Sequence, residues 1–366
     1  MSKKPIYDLI PSEINSFCKD HDLKDHVFSE INKWFFKKKE PDLSIWDKTS
    51  KVTRDFLEDN FEFALPKIAW NGLSNDGTRK FLIGLSDSNT VEAVAIPAKD
   101  RLTLCISSQV GCAIGCTFCH TGTQGLTRNL TTAEIVGQFL AVSKWLIDNV
   151  NKDSRLTNIV FMGQGEPLHN FENVKRAIAL FIHPEGIGLS KTKVTLSTSG
   201  LANQIERWED FPEINIAISL HAVRNDLRSK LMPINKAHDL ERLFKALKTI
   251  PVKASRRITY EYLLIDQLND AQEDIDGLCE LLVRKESKIN IIPFNEYPGS
   301  EYKRPSNEKV AWFQNELHDR GYTCTVRVTK GDDILAACGQ LKTEFEKLNV
   351  WDGERVSPKT YTPINS

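Results

Sequence analysis

Four of the chain's eight cysteines fall within fifteen residues: Cys105, Cys112, Cys116 and Cys119. The last three form a Cys-x3-Cys-x2-Cys run, and three thiolates on one short loop can wrap one face of a metal centre. Structural zinc needs four protein ligands, and His120 could be the fourth, but adjacent Cys119 and His120 would chelate one ion awkwardly. An iron–sulfur cubane held by three cysteines instead leaves one iron open for a small ligand. The spacing favours a cluster over zinc or a redox dithiol, and Gly111 and Gly115 permit the tight backbone such a loop requires. Eight cysteines are too few for a disulfide scaffold, so clustered thiols point to metal or redox chemistry. Cys18, Cys279 and Cys324 stand alone and read as small buried hydrophobes.

The elements that must position this loop alternate. A short strand, 102–107, leads into it. Thr131-Thr132-Ala133-Glu134 is a capping box opening a long helix to about Val150. Strands are expected at 158–162, 193–197, 215–220, 257–265, 288–292 and 323–328. Helices are expected near 170–181, 239–249, 271–285 and 306–320, with a last helix from Asp332 or Asp333. Such alternation predicts a parallel sheet covered by helices, either doubly wound or an incomplete β/α barrel, with ligands at the carboxyl ends of the strands. Those ends carry Gly163-Gln164-Gly165-Glu166, Ser197-Thr198-Ser199-Gly200, Ser219-Leu220-His221 and Pro293-Phe294-Asn295. Upstream, apolar residues recur at helical spacing (Ile14, Phe17, Leu23, Val27, Ile31, Trp34, Phe35). The pattern then changes to two β-type runs, 80–85 and 90–96, joined by Ser86-Asp87-Ser88-Asn89, a β-hairpin with a polar turn.

At 366 residues the chain fits one large domain with an appendage, or two domains. Hydrophobic residues make up 40% and charged residues 27%, as in soluble globular proteins. No run of 18 apolar residues occurs, so no membrane span is expected, and the start lacks a secretory h-region, so a cytoplasmic protein is expected. With 48 basic and 49 acidic side chains the net charge is −1, which excludes a globally basic nucleic-acid binder but not a local basic face.

Cys112-Ala-Ile-Gly-Cys116-Thr-Phe-Cys119, with aromatic Phe118 before its last cysteine, resembles the signature of radical S-adenosylmethionine (SAM) enzymes. Cys105-Ile-Ser-Ser-Gln-Val-Gly-Cys112, Gly125-Leu-Thr-Arg-Asn-Leu-Thr, Gly163-Gln-Gly-Glu-Pro, Ser197-Thr-Ser-Gly, Ile218-Ser-Leu-His-Ala and Gly331-Asp-Asp-Ile-Leu-Ala-Ala-Cys338-Gly-Gln-Leu narrow the resemblance to the RlmN/Cfr family of RNA adenine methyltransferases. It runs from about residue 80 to 345. The fold it implies is an incomplete (β/α)6 radical SAM barrel, 100–345. That core would carry a small N-terminal helical accessory domain for RNA binding (1–65), a β-hairpin linker or extension (66–99) and a C-terminal tail (346–366).

The resemblance implies one 4Fe–4S cluster on Cys112, Cys116 and Cys119, with SAM on its open iron. It implies two SAM molecules: one methylates Cys338, and the other yields a 5′-deoxyadenosyl radical that activates the S-methyl group. The carbon adds to adenine, Cys105 resolves the adduct by forming a disulfide with Cys338, and Glu92 accepts a proton. SAM contacts carry over to Gly165, Glu166, Ser197, Ser219, Leu220, His221 and Asn295. Gln164 departs from the family's usual apolar Met, and His120 and His169 are further local differences. The implied substrates are an adenosine in the peptidyl-transferase centre of 23S rRNA and the adenosine 3′ of certain tRNA anticodons. Methylation at carbon 2, as in the RlmN branch, is expected rather than at carbon 8, as in Cfr. Candidate basic contacts to RNA are Lys37–Lys39, Lys99 and Arg101, Arg128, Arg224 with Arg228 and Lys230, and Arg256 with Arg257. A flavodoxin-type electron donor and a monomer are also expected. The weighed alternatives are a radical SAM enzyme on a non-RNA substrate and a zinc-binding RNA adaptor; iron and sulfide in anaerobically purified protein, against zinc, separate the last.

Overall fold

The computed structural model describes residues 3–251, 256–297 and 299–341. The expected tail, and residues 342–345 of the expected core, lie outside them. Near the start of the chain are helices α1 (Pro11–Asp20), α2 (His26–Ile31) and α3 (Lys51–Asn60), with a π-helical stretch at Asn32–Lys37 after α2. Ile14, Val27, Ile31 and Phe35, four of the residues at helical spacing, are buried there. The same apolar core continues into the rest of the chain. Glu13 pairs with Arg176, and Asp8 accepts a hydrogen bond from the amide of Ala133, so these helices are pinned against the long helices that follow.

Ten strands form one sheet: β1 (Ile68–Leu73), β2 (Arg79–Gly84), β3 (Thr90–Ala98), β4 (Arg101–Cys105), β5 (Asn158–Phe161), β6 (Val194–Thr198), β7 (Asn215–Ser219), β8 (Ile258–Leu264), β9 (Ser287–Pro293) and β10 (Thr323–Val326). They pair strictly in chain order. β4 to β10 are parallel, and β1 to β4 antiparallel. β4 to β9 are the six strands of an incomplete barrel, and β10 adds a seventh. The expected hairpin is β2–β3. It is joined by β1, which the sequence reading did not mark, and its second strand pairs with β4, so the hairpin extends the barrel sheet.

Successive strand residues point to opposite faces. Leu104, Ile159, Leu196, Ile218, Tyr260 and Ile289 turn outward into the apolar core. The covering helices are α4 (Thr132–Asn149), α5 (Phe171–Ile182), the single turn α6 (Ala202–Ile205), α7 (Asn225–Leu231), α8 (Leu240–Leu247), α9 (Gln272–Leu281) and α10 (Asn307–Asp319). The capping box at α4 is formed: Thr131 Oγ1 accepts from the Glu134 amide, and Glu134 accepts from the Thr131 amide. The other parity turns into the barrel, and it is largely polar: Thr103, Asn158, Thr195, Thr259, Glu261 and Asn290.

One expectation fails. No long helix starts at Asp332; a single 3-10 turn, Asp332–Ile334, lies between Gly331 and Leu335, both left-handed. Tertiary bonds hold this turn. Asp333 accepts from Ser74 and from the Asn75 amide, and Lys80 Nζ donates to the Leu335 carbonyl at 3.2 Å. Among the described residues no helix is long and apolar enough to cross a membrane.

Candidate active site

The cysteine loop leaves the carboxyl end of β4 and is braced on both sides. The Cys112 amide donates to the Gly125 carbonyl, and the Thr117 amide to that of Leu231. A Cβ at Gly111 would lie 1.9 Å from the Gly125 carbonyl oxygen, and φ there is +74°, so only glycine fits this turn. Cys112, Cys116 and Cys119 all line one cavity at the carboxyl ends of the strands.

Burial raises all three thiols: Cys112 to about 12, and Cys116 and Cys119 upward, with the thiols' mutual charge adding at Cys112 and Cys116. Three such thiols become thiolates only against a compensating positive core, which an iron–sulfur cluster provides. His120 is outside the cavity lining, its ring stacked on Tyr297 at 4.8 Å, so it is not placed as a fourth ligand. No three His, Cys, Asp or Glu side chains among the described residues converge on a single-ion site. The donor set fits a three-cysteine cluster better than zinc.

Gly165, Glu166, Ser197, Ser219 and His221 line the same cavity. Glu166 is pinned at the mouth of the barrel. Its Oε1 accepts from Thr198 Oγ1 at 2.8 Å and from the Leu168 amide at 3.0 Å, and its Oε2 accepts from the Ser199 amide at 2.7 Å. Glu166 also lines the cavity. Gly165 has φ +97°, and a Cβ there would meet the Gln109 side chain at 2.5 Å. The glycine therefore lets this loop pack against Gln109 while its backbone lines the cavity.

His221 is buried with φ +60°, a strained conformation for a non-glycine residue. Its Nδ1 accepts from the Leu263 amide, so the ring proton sits on Nε2, and burial pushes its pKa down to about 3, helped by Arg228. Phe118 of the cysteine loop packs edge-on against this ring at 4.9 Å. Leu220 is buried behind the cavity, its carbonyl accepting from Arg228 Nε. Asn295 is turned to the protein, donating to the Cys338 carbonyl at 3.2 Å and accepting from Thr329.

Cys338 lines the cavity that holds the three-cysteine loop. The His120 amide donates to the Gly339 carbonyl at 2.7 Å, and Thr121 Oγ1 to that of Leu341 at 2.6 Å, docking the Cys338 segment on the cysteine loop. Cys105 ends β4 and packs with Ala336 and Leu341 around it. Burial pushes the Cys105 thiol up to about 12, with negative charge on Cys338 adding to the rise. Burial also raises Cys338, while the Arg327 guanidinium acts against it. Glu92 lies on β3, two residues from Val94, which pairs with Cys105. It is buried rather than solvated, with Oε1 3.1 Å from Lys80 Nζ. Gln164, the departure from the usual apolar residue, is buried and accepts from the Glu92 amide at 3.1 Å.

Sequence reading missed Glu261 and Arg327 and named Ser199 only within its strand-end motif; all three also line the cavity. Ser197 Oγ donates to Glu261 Oε2 at 2.8 Å, and Arg327 Nη1 lies 3.8 Å from Glu261 Oε1. Ser199 Oγ is buried without a hydrogen bond among the described residues. A lone carboxylate inside the apolar run of β8, and an arginine just past β10, were the available signals. Arg228 is corrected: it is fully buried and bonds the carbonyls of Ser199, Leu220 and Ser219, so it cannot face RNA. Arg128 is spent on Glu134 and Asp87, and Arg224 on Glu273 and Asp274.

Residues 106–282 match the model of the Radical SAM superfamily. Fold and site together define a radical SAM enzyme. The chain is 45% identical over 327 residues to "Dual-specificity RNA methyltransferase RlmN" of Ruegeria sp. (strain TM1040), covering 87% of this chain and 82% of that protein. It is 42% identical over 341 residues to the protein of the same name from Rhizobium meliloti (strain 1021), covering 88% and 83%. A radical SAM methyltransferase from Sphaerobacter thermophilus has a crystal structure that superimposes with a TM-score of 0.86 at 35% identity, covering 93% of this chain and 99% of that one. The chain belongs to the RlmN family of radical SAM RNA methyltransferases.

Proposed function

We propose that the protein methylates carbon 2 of adenosine in 23S rRNA and in tRNA, using two SAM molecules and a methylated Cys338. The observation that carries this reading is that Cys338 opens onto the cavity of Cys112, Cys116 and Cys119 while Cys105 lies beside its segment. Cys112, Cys116 and Cys119 would hold one 4Fe–4S cluster. When bound, the cluster and its SAM supply a carbon radical strong enough to take hydrogen from an S-methyl group.

The chain's own residues do the rest. Glu166, Ser197, Ser199, Ser219 and the Nε2–H of His221 present acceptors and donors to SAM, against an apolar wall that includes Met232, Leu263 and Phe294. Cys338, as thiolate, takes a methyl group from one SAM. Glu92 receives the proton lost from the ring carbon. Cys105, as thiolate, attacks the Cys338 sulfur: an Sγ–Sγ bond forms as the carbon–sulfur bond breaks, and the electron pair of that bond stays on the methylene carbon, which takes up a proton to become the product's methyl group. A flavodoxin-type protein supplies electrons and the enzyme works as a monomer. The target base is extruded or already unpaired. Lys230, exposed beside Thr117 of the cysteine loop, and exposed Lys99 would meet the RNA backbone.

The test is digestion of rRNA and tRNA after reaction, with chromatographic standards for 2-methyl- and 8-methyladenosine. The 2-methyl isomer is expected from the native enzyme and neither isomer from Cys338→Ala, which should still carry iron and sulfide. Predominance of the 8-methyl isomer, or full activity of Cys338→Ala, refutes the reading.

A further inference from the structure

A (β/α)8 barrel fills its interior with bulky branched side chains in layers. This barrel does not. A second cavity of about 600 Å³ occupies its interior, reaching from the amino ends of the strands up to Cys338. Its upper end is formed by Glu261, Arg327, Ala337 and Cys338, and its lower end by residues at the starts of strands, including Arg101 of β4, Asn158 of β5 and Lys288 of β9. Exposed Ala98 and Arg101 mark where its lower end meets solvent, and exposed Val328, past the carboxyl end of β10, lies on its upper side. Cys338 therefore has two faces, one on the chamber of the cysteine loop and one on this passage. Cys105 is absent from the passage lining.

The passage carries four cationic side chains, Arg101, Lys288, Arg327 and Lys330, against a single carboxylate, Glu261. Arg327 is near Glu261, and Lys330 lies 3.9 Å from Asp76. Arg101 and Lys288 have no carboxylate within salt-bridge distance among the described residues. A narrow cleft lined by one sign of charge concentrates the opposite sign.

We propose that the lower passage is the entry route of an anionic low-molecular-weight thiol that reduces the Cys105–Cys338 disulfide after each turnover. This inference rests on the methyl-cysteine reading, which leaves the enzyme oxidised. A thiolate of the small molecule attacks Cys338 Sγ. The Cys105–Cys338 bond breaks, Cys105 leaves with the electron pair and takes up a proton, and a mixed disulfide remains on Cys338. A second small thiol attacks the small molecule's sulfur in that mixed disulfide and releases Cys338. Two small thiols thus become one disulfide, and two electrons and two protons pass to Cys105 and Cys338. Attack falls on Cys338 because it is the member of the pair that faces the passage. The lower mouth of the passage is thereby set apart from Cys112, Cys116 and Cys119, which line the cavity at the carboxyl ends of the strands.

The test uses the oxidised holoenzyme without RNA. The disulfide is formed with diamide and verified by mass spectrometry of the peptides joined through Cys105 and Cys338. Reduction is then timed with glutathione, which is anionic, and with 2-mercaptoethanol, which is neutral. The native enzyme and Arg101→Glu/Lys288→Glu are compared, with thermal melting as a check on folding. The charge reversal is expected to slow glutathione about tenfold or more, and added salt to slow glutathione in the native enzyme. 2-Mercaptoethanol should change less than about twofold. Equal slowing of both thiols, or of neither, overturns the route. If the variant fails to fold, the salt dependence decides alone: glutathione reduction indifferent to salt overturns it. If no disulfide joins Cys105 and Cys338, the methyl-cysteine reading itself fails, a separate outcome.

Discussion

Lys80 and Glu92 form an ion pair with side chains only 7% and 3% exposed, on neighbouring strands β2 and β3. Removing one member of a buried pair leaves the other charge uncompensated, at a cost of about 3–5 kcal/mol. Lys80 also donates to the carbonyl of Leu335, three residues before Cys338, and a hydrogen bond from a charged donor contributes about 1.5–3 kcal/mol. Lys80→Met, which keeps the stem's volume, is therefore expected to lower unfolding free energy by at least about 3 kcal/mol at neutral pH. Lys80→Met/Glu92→Gln removes both charges, and most of the loss should return, giving a coupling of about 2 kcal/mol or more. Urea unfolding of the native protein, both single variants and the double variant supplies the cycle. A cost under about 1 kcal/mol for Lys80→Met, or strictly additive losses, would refute the claim that this pair acts as one unit.

Three further outcomes follow from the same geometry. Thr198→Val deletes the donor to Glu166 Oε1, and SAM affinity measured by equilibrium dialysis should fall about tenfold while bound iron is unchanged. Gly165→Ala meets both a positive φ and the Gln109 side chain, and should cost about 2–4 kcal/mol in chemical denaturation. For His221, the folded pKa of about 3 lies below the unfolded value of about 6.5. Unfolding thus takes up a proton, and stability is full above about pH 6.5 and declines as pH falls toward 3. His221→Gln should flatten that acid limb, and the native ring resonances should not titrate between about pH 8 and 5.

Much of this was legible from sequence because it is local. Cysteine spacing, capping chemistry at Thr131 and polar residues after apolar strand runs each require only a few neighbouring residues. What escaped depends on chain segments far apart. Glu261 and Arg327 meet across β8 and β10 only through the sheet's order. Arg228 was grouped with Arg224 and Lys230 as a basic run, yet it shares the buried side of α7 with Leu227 and Leu231. The helical reading from Asp332 followed local residue type, whereas bonds from Ser74 and Lys80 turn that segment into the loop that presents Cys338. The steric reason for glycine at 165 also escaped, because Gln109, which leaves no room for a side chain there, is 56 positions earlier.

The most direct measurement of the central claim is to incubate the cluster-loaded enzyme, without RNA, with SAM labelled at its methyl group, then map the label by peptide mass spectrometry. Label on peptide 331–342, lost in Cys338→Ala and transferred to RNA on a chase, is the expected result. Label confined to other peptides, or RNA methylation at the native rate with Cys338 unlabelled, would contradict it.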